Sequence, residues 1–227
     1  MWFSGDLLAR IVQIILIDLV LSGDNAVVIG MAAHPLPRRQ RQMAILFGGL
    51  AALVLRIALT AVAALLLDLP ALKAIGGLLL LWIAYRLLEV EQSDDGKPRQ
   101  ASTLRGAIGT ILVADFVMSL DNVLGVAAAS NSDVVLLIFG LVVSMAIVML
   151  GGSIFASLID RLWWLAYLGA LVLAWTGCEM IQEDALVSRM AELPMLARWA
   201  VDCAVSVAVV ALAHWAHRRL PALQRSA

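Results

Sequence analysis

The sequence predicts an all-α polytopic membrane protein, with seven transmembrane helices laid out as two inverted three-helix repeats plus a C-terminal helix. Three observations carry this. Of 227 residues, 63% are hydrophobic and 15% charged, and mean hydropathy is +0.95; a soluble domain runs about 45–50% apolar and about 25% charged. The apolar runs are about as long as the roughly 20 residues a helix needs to cross a bilayer. Finally, one polar motif occurs twice inside such runs: Asp18, Ser22, Asp24 and Asn25 return 97 residues later as Asp115, Ser119, Asp121 and Asn122.

Taken in order, the first run covers about 7–33 and stops at His34, Pro35 and Pro37, where prolines and the arginines that follow dictate a loop. The second, about 42–67, is interrupted only by Arg56 and closed by Asp68 and Pro70. The third, about 72–88, completes a first repeat over 1–90. Residues 91–103, with Asp94, Asp95, Lys97 and Pro98, form a polar cytoplasmic linker. The fourth run, about 104–129, holds the second motif; a turn at 130–133 leads to the fifth, which ends near 159 before Asp160 and Arg161. The sixth, about 162–181, completes the second repeat over 104–182. An extracytoplasmic loop over 183–198, with Pro194, precedes the seventh helix and a basic tail, 199–227.

The repeat extends beyond the motifs. Phe47 and Gly48 correspond to Phe139 and Gly140, Asp68 to Asp160, Gly76 to Gly169 and Trp82 to Trp175. Three spans per copy is an odd number, so consecutive copies must enter the bilayer in opposite senses, which places a site at the repeat interface near the midplane. Lys and Arg set the orientation. Arg38, Arg39, Arg41, Arg86, Lys97, Arg99, Arg105, Arg161, Arg218, Arg219 and Arg225 gather on one side, and Arg10, Lys73, Arg189 and Arg198 on the other. The C-terminus is therefore expected in the cytoplasm and the N-terminus outside, in a cytoplasmic membrane. The first run lacks a basic start, follows Asp6 and contains the motif, so it is expected to be retained rather than cleaved. Cys178 and Cys203 lie in apolar runs and read as small hydrophobes, not a disulfide framework. A net charge of −1 gives no footprint for nucleic acid, and no such partner is expected; the expected partner is the lipid bilayer.

A charge at bilayer depth costs at least ~2.5–3.5 kcal/mol on insertion scales, so the four aspartates read as functional. In an undisturbed helix Asp18, Ser22 and Asn25 share a face, and Asp24 points elsewhere. Gly23, beside Ser22, is a place where the helix can loosen and swing Asp24 toward the others; the second copy has Leu120 there, so the same loosening is less expected in it. Carboxylates, amide carbonyls and hydroxyls are hard ligands suited to Mg²⁺, Ca²⁺ and Mn²⁺, whereas Zn²⁺ or Cu⁺ would call for Cys or His. Spare carboxylates must bind protons or be matched by a cation such as Arg56, so the same site could exchange metal for protons.

With these motifs the chain resembles the TerC family of integral membrane proteins, most closely its short YjbE-type branch, and is similar in plan to LysE-like exporters. The resemblance implies a manganese(II) exporter with Mn²⁺ as transported substrate, no organic cofactor, and Asp18, Asp24, Asn25, Asp115, Asp121 and Asn122 as metal ligands. Ser22, Ser119 and Arg56 are candidates to support the ligands or line the ion path, and protons are the expected counter-ion.

Plainer readings stand beside these. The aspartates could be paired groups that hold helices together, and the asparagines could be interhelical hydrogen-bond glue. Ser22 and Ser119 could bond back to the carbonyl four residues earlier, and Arg56 could snorkel. Glu179 reads as interfacial, Asp202 as a weaker candidate for the ion path, and His34 as a loop residue. The competing functions are an exporter of another divalent cation such as calcium, and a membrane assembly or metal-sensing partner protein. A retinal-type protein is excluded, since it needs a lysine well inside a span, and the two lysines are Lys73, at the loop end of the third run, and Lys97, in the linker. No nucleophile–base pair or metalloprotease pattern suggests an enzyme.

Overall fold

The computed structural model describes residues 5–66, 71–91, 103–129, 134–190 and 194–224, with side chains over 11–60, 71–89, 103–120, 135–189 and 194–216. The linker residues 92–102, the turn 130–133, the tail beyond 224, and the side chains of Arg10, Asp68, Asp121, Asn122, Arg218 and Arg219 lie outside these. Among the described residues the chain is helical throughout: α1 Gly5–Leu21, α2 Gly23–Ala33, α3 Arg38–Leu66, α4 Leu72–Glu91, α5 Leu104–Ala129, α6 Val134–Ile159, α7 Trp164–Glu183, α8 Ala185–Met190 and α9 Met195–Gln224.

Four stretches are long and apolar enough to cross a membrane: Arg38–Thr60, Val135–Ile159, Trp164–Glu183 and Met195–Ala216. The pair α1 and α2, bent by 54° at Ser22, makes a fifth. The expected count of seven is met only to that extent among the described residues. Helix α4 carries Lys73, Arg86 and Glu89, and α5 carries Arg105 and Asp115; both are nonetheless packed into the core, through residues such as Leu80, Ala84, Ile111 and Ala114.

The expected loosening falls where the first motif lies. The Ser22 N–H still reaches the Asp18 carbonyl at 2.8 Å, but the Asn25 N–H closes a tighter turn on the Ser22 carbonyl at 3.1 Å. Ser22 itself leaves helical geometry at φ −117°, ψ 11°. Helix α5, with Leu120 at the matching position, runs unbroken through the second motif.

The closest pairings are α4 with α7, α3 with α5, and α2 with α6. Exchanging the two repeats converts α3 on α5 into α6 on the α1–α2 pair, and returns α4 on α7 to itself. The exchange holds for individual residues. Gly48 of α3 leaves room for Ile111 of α5, and its sequence counterpart Gly140 of α6 leaves room for Ile14 of α1. Ile14 and Ile111 stand four residues ahead of Asp18 and Asp115, so these close approaches help bring together the helices that carry the two carboxylates. At the α4–α7 crossing, Gly77 and Gly177 meet backbone to backbone: a Cβ on either would strike the carbonyl oxygen of the other.

The loop expected over 183–198 contains α8, and α9 begins at Met195, earlier than the expected 199. Asp184 organises this end. Its Oδ1 accepts the Leu186 N–H at 2.9 Å, capping α8, while Oδ2 accepts the Ala74 N–H at 3.1 Å, capping α4 across the bundle. Ala71, just before α4, is held at φ 65°. Outward faces remain apolar, as at Val20, Val54, Ile75, Leu150, Val207 and Trp215, which is what a lipid-facing surface requires and a soluble one avoids.

Candidate functional site

The two motifs meet on Arg56. This residue sits in the middle of α3 and is 3% exposed. Its Nη1 donates to Asp18 Oδ1 and Oδ2 at 3.0 and 3.2 Å and to Ser22 Oγ at 2.8 Å. Nη2 donates to Asp115 Oδ1 at 2.7 Å, and Nε to Ser119 Oγ at 3.1 Å. A single guanidinium thus takes one carboxylate and one hydroxyl from each motif, using the fork that lysine lacks. Arg56 does not snorkel. Within each motif the serine hydroxyl donates to the carboxylate four residues earlier, Ser22 to Asp18 at 3.5 Å and Ser119 to Asp115 at 3.4 Å. Neither hydroxyl takes the backbone carbonyl that serine favours inside a helix.

Asn25 ties the bend to α5, its Nδ2 donating to Asp115 Oδ1 at 3.2 Å. Asp24 does not swing toward this group. Its Oδ2 accepts the Thr176 hydroxyl of α7 at 3.5 Å, because the break at Ser22 reorients α2 as a whole and carries its first turn toward α7. Asp24 Oδ1 and Asn25 Oδ1 are both buried without a hydrogen-bond donor among the described residues. Ser144 Oγ, Ser206 Oγ and Gln182 Oε1 are likewise without partners among the described residues, but Asp24 and Asn25 are adjacent residues, and a pair of buried oxygens without donors calls for an explanation, an ion among them.

With both carboxylates ionised, the Asp18–Arg56–Asp115 group would carry one negative charge in excess, in a setting where unpaired charge is costly. Asp24 adds a further carboxylate nearby. Among the described residues, no three His, Cys, Asp or Glu side chains gather at one point. The oxygens on offer are those of two paired carboxylates, two hydroxyls, an amide and Asp24: hard donors, in keeping with group-2 or manganous ions rather than softer metals.

Other polar residues fall elsewhere. Asp202 of α9 is buried against α7, where it accepts a hydrogen bond from the Gln182 amide; Gln182 also approaches Cys178 Sγ at 3.8 Å. Glu179 is exposed on α7. His34 is more than a loop residue: its Nε2 lies 2.8 Å from Asp160 Oδ1, and Arg41 Nη1 donates to Asp160 Oδ2 at 2.7 Å. This ties the end of α2, the start of α3 and the end of α6 together. The Arg41 hydrogen bond holds the Asp160 carboxyl below the usual range, with the Arg41 and His34 charges adding to it against a smaller cost of burial. Thr176 and Asp184 were invisible as site or cap residues in the sequence, since a single Thr in an apolar helix and an Asp in a polar loop carry no distinguishing pattern.

The family model described as "Integral membrane protein TerC family" matches residues 3–220. The chain is 43% identical over 183 residues to "Uncharacterized membrane protein YjbE" of Bacillus subtilis (strain 168), covering 81% of this chain and 84% of that protein. It is 27% identical over 161 residues to "Uncharacterized membrane protein YceF" of the same organism, covering 66% and 62%. To "UPF0053 inner membrane protein YgdQ" of Escherichia coli (strain K12) it is 25% identical over 163 residues, covering 64% and 68%. No solved structure matches.

Proposed function

Since this chain belongs to the TerC family of integral membrane proteins, we propose that it is a divalent cation carrier, exporting Mn²⁺ across a bacterial cytoplasmic membrane by alternating access in exchange for protons. The observation that carries this reading is the pair of buried oxygens, Asp24 Oδ1 and Asn25 Oδ1, left without donors in the same motif that delivers Asp18 to Arg56. Acceptors with no donor suit a cation, and the broken helix is the backbone form that such sites take in carriers. Asp18 and Asp115, one from each repeat, supply the charge, and the second motif's Asp121 and Asn122 complete the ligand set.

In this reading the repeats run in opposite senses through seven spans, with the N-terminus outside. The exchange-related pairs Gly48–Ile111 and Gly140–Ile14 support the pseudo-twofold relation. Energetics favour coupling: moving one charge across 100 mV is worth about 2.3 kcal/mol, so an exported divalent ion must climb about twice that. Two protons entering for each metal ion removes the electrical cost. The protein needs no organic cofactor and performs no covalent chemistry.

A second reading is a structural one. Arg56 already serves both carboxylates, so the cluster could act only as a clamp between repeats in an assembly or metal-sensing partner protein. Purified protein in vesicles loaded with Mn²⁺ or Ca²⁺ separates these. The carrier reading expects Mn²⁺ efflux that acidifies the lumen, is lost in Asp24→Asn and in Asp121→Asn, and exceeds Ca²⁺ efflux. Efflux equal in wild type and both variants, or no efflux at all, would leave the clamp.

A further inference from the structure

We infer that Arg56 is the protein's own stand-in for the transported cation: it occupies Asp18 and Asp115 when no metal is bound and gives them up when metal arrives. This rests on the carrier reading above and specifies how that same site is controlled. The guanidinium does not sit beside the two carboxylates; it joins them, with Nη1 3.0 Å from Asp18 Oδ1 and Nη2 2.7 Å from Asp115 Oδ1. A hard divalent ion needs carboxylate oxygens at about 2.0–2.6 Å, and those oxygens are already claimed. Two cations cannot take the same oxygens in a dry interior, so metal and guanidinium compete.

Arg56 is a fixed charge, since guanidinium keeps its proton at any physiological pH. It is also tethered to α3, so it cannot leave with the metal. Its other contacts are two serine hydroxyls, Ser22 and Ser119, neutral partners that cost little to leave compared with the carboxylates. Within the same motif Asp24 Oδ1 and Asn25 Oδ1 are acceptors without donors, a second set of oxygens that lets one cation settle as the other takes the carboxylates.

The consequence concerns the empty carrier. Once metal is released, bare buried carboxylates on both repeats would resist passage through the closed intermediate. With Arg56 across them one of their two charges is offset and the protons taken up in exchange neutralise the remainder, so the metal-free form can reorient. Net export requires that return; exchange of metal for metal does not, because the carrier then crosses loaded in both directions.

The test uses purified full-length protein in proteoliposomes with radiolabelled Mn²⁺, comparing net efflux into metal-free buffer with exchange against external unlabelled Mn²⁺. In Arg56→Gln, net efflux should fall about a hundredfold, the population penalty of one more uncompensated charge at bilayer depth. Exchange should fall far less, so the ratio of exchange to net efflux rises. Arg56→Lys keeps the charge but cannot bridge both carboxylates, and its ratio should move in the same direction by less; it carries the test if the Gln variant fails to reach the membrane. Parallel loss of both fluxes, or an unchanged ratio in both variants, overturns the stand-in role and leaves the carrier reading intact. No Mn²⁺ flux of either kind in wild type overturns both.

Discussion

Asp18 and Asp115, from the two copies of the motif, share one guanidinium: Asp18 Oδ1 lies 3.0 Å from Arg56 Nη1 and Asp115 Oδ1 2.7 Å from Nη2. Sharing makes the two carboxylates thermodynamically dependent. Removing either leaves Arg56 with one ionic partner; removing both leaves a buried cation with none. Asp18→Asn and Asp115→Asn should therefore be non-additive, the double variant losing about 0.5–3 kcal/mol more than the sum of the singles. Denaturant unfolding in detergent measures the cycle, and additivity would mean that the two bridges act separately.

The Gly77–Gly177 contact admits no side chain on either helix. Gly77→Val must push α4 from α7 along their main interface, and overpacking of this kind costs about 1–3 kcal/mol or more. A lower Tm in detergent is expected. Gly23→Ala serves as the control, because a Cβ at Gly23 meets nothing within 4 Å. Equal Tm losses in the two variants would contradict the crossing.

Asp184 caps two helices with one carboxylate. Asp184→Ala should cost more than a single cap's ~1 kcal/mol, and should expose amides at the starts of both α4 and α8 to faster hydrogen exchange. Protection lost at α8 alone would mean that the bond to Ala74 contributes nothing. Burial works against ionisation of this carboxyl, but the N–H donors of Leu186, Ala74, Ala71 and Val187 outweigh it and hold it below its usual range.

The Asp160 tie to Arg41 and His34 gives a pH-dependent contribution with a defined sign. Its carboxyl is held low in the folded protein, so the stabilisation is present above the unfolded value near about 3.9 and lost as pH falls through the lower folded value. Its side chain is 49% exposed, and solvent screening limits the effect to about 1 kcal/mol at most. The stability gap between wild type and Asp160→Asn should thus be small at neutral pH and close in acid below about pH 4. A gap that widens on acidification would contradict this pairing.

Much of the helical layout was legible because it depends on local chemistry. Apolar runs of spanning length, Pro35 and Pro37 after the first and the Asp160–Arg161 pair after the fifth mark helix ends within a few residues of those observed. The loosening beside Gly23 was legible for the same reason, since glycine lowers the cost of leaving helical geometry, although the residue that leaves it is the neighbouring Ser22. The short helix α8 was not, because its cap depends on Asp184 and on nothing periodic.

The sequence by itself determined that carboxylates, serines and asparagines lie within apolar helices, at equal spacing in two copies, and that one arginine lies in the span between them. These are statements about composition and period. Only the tertiary structure decided that Arg56 spans both copies, that Asp24 turns to Thr176, and that Asn25 reaches Asp115. Each depends on how helices cross, and the crossings are set where small residues let backbones and β-branched side chains come close: Gly48 on Ile111, Gly140 on Ile14, Gly77 on Gly177. A glycine in a sequence states that close approach is permitted; which helix takes up the permission is settled only when all of them pack.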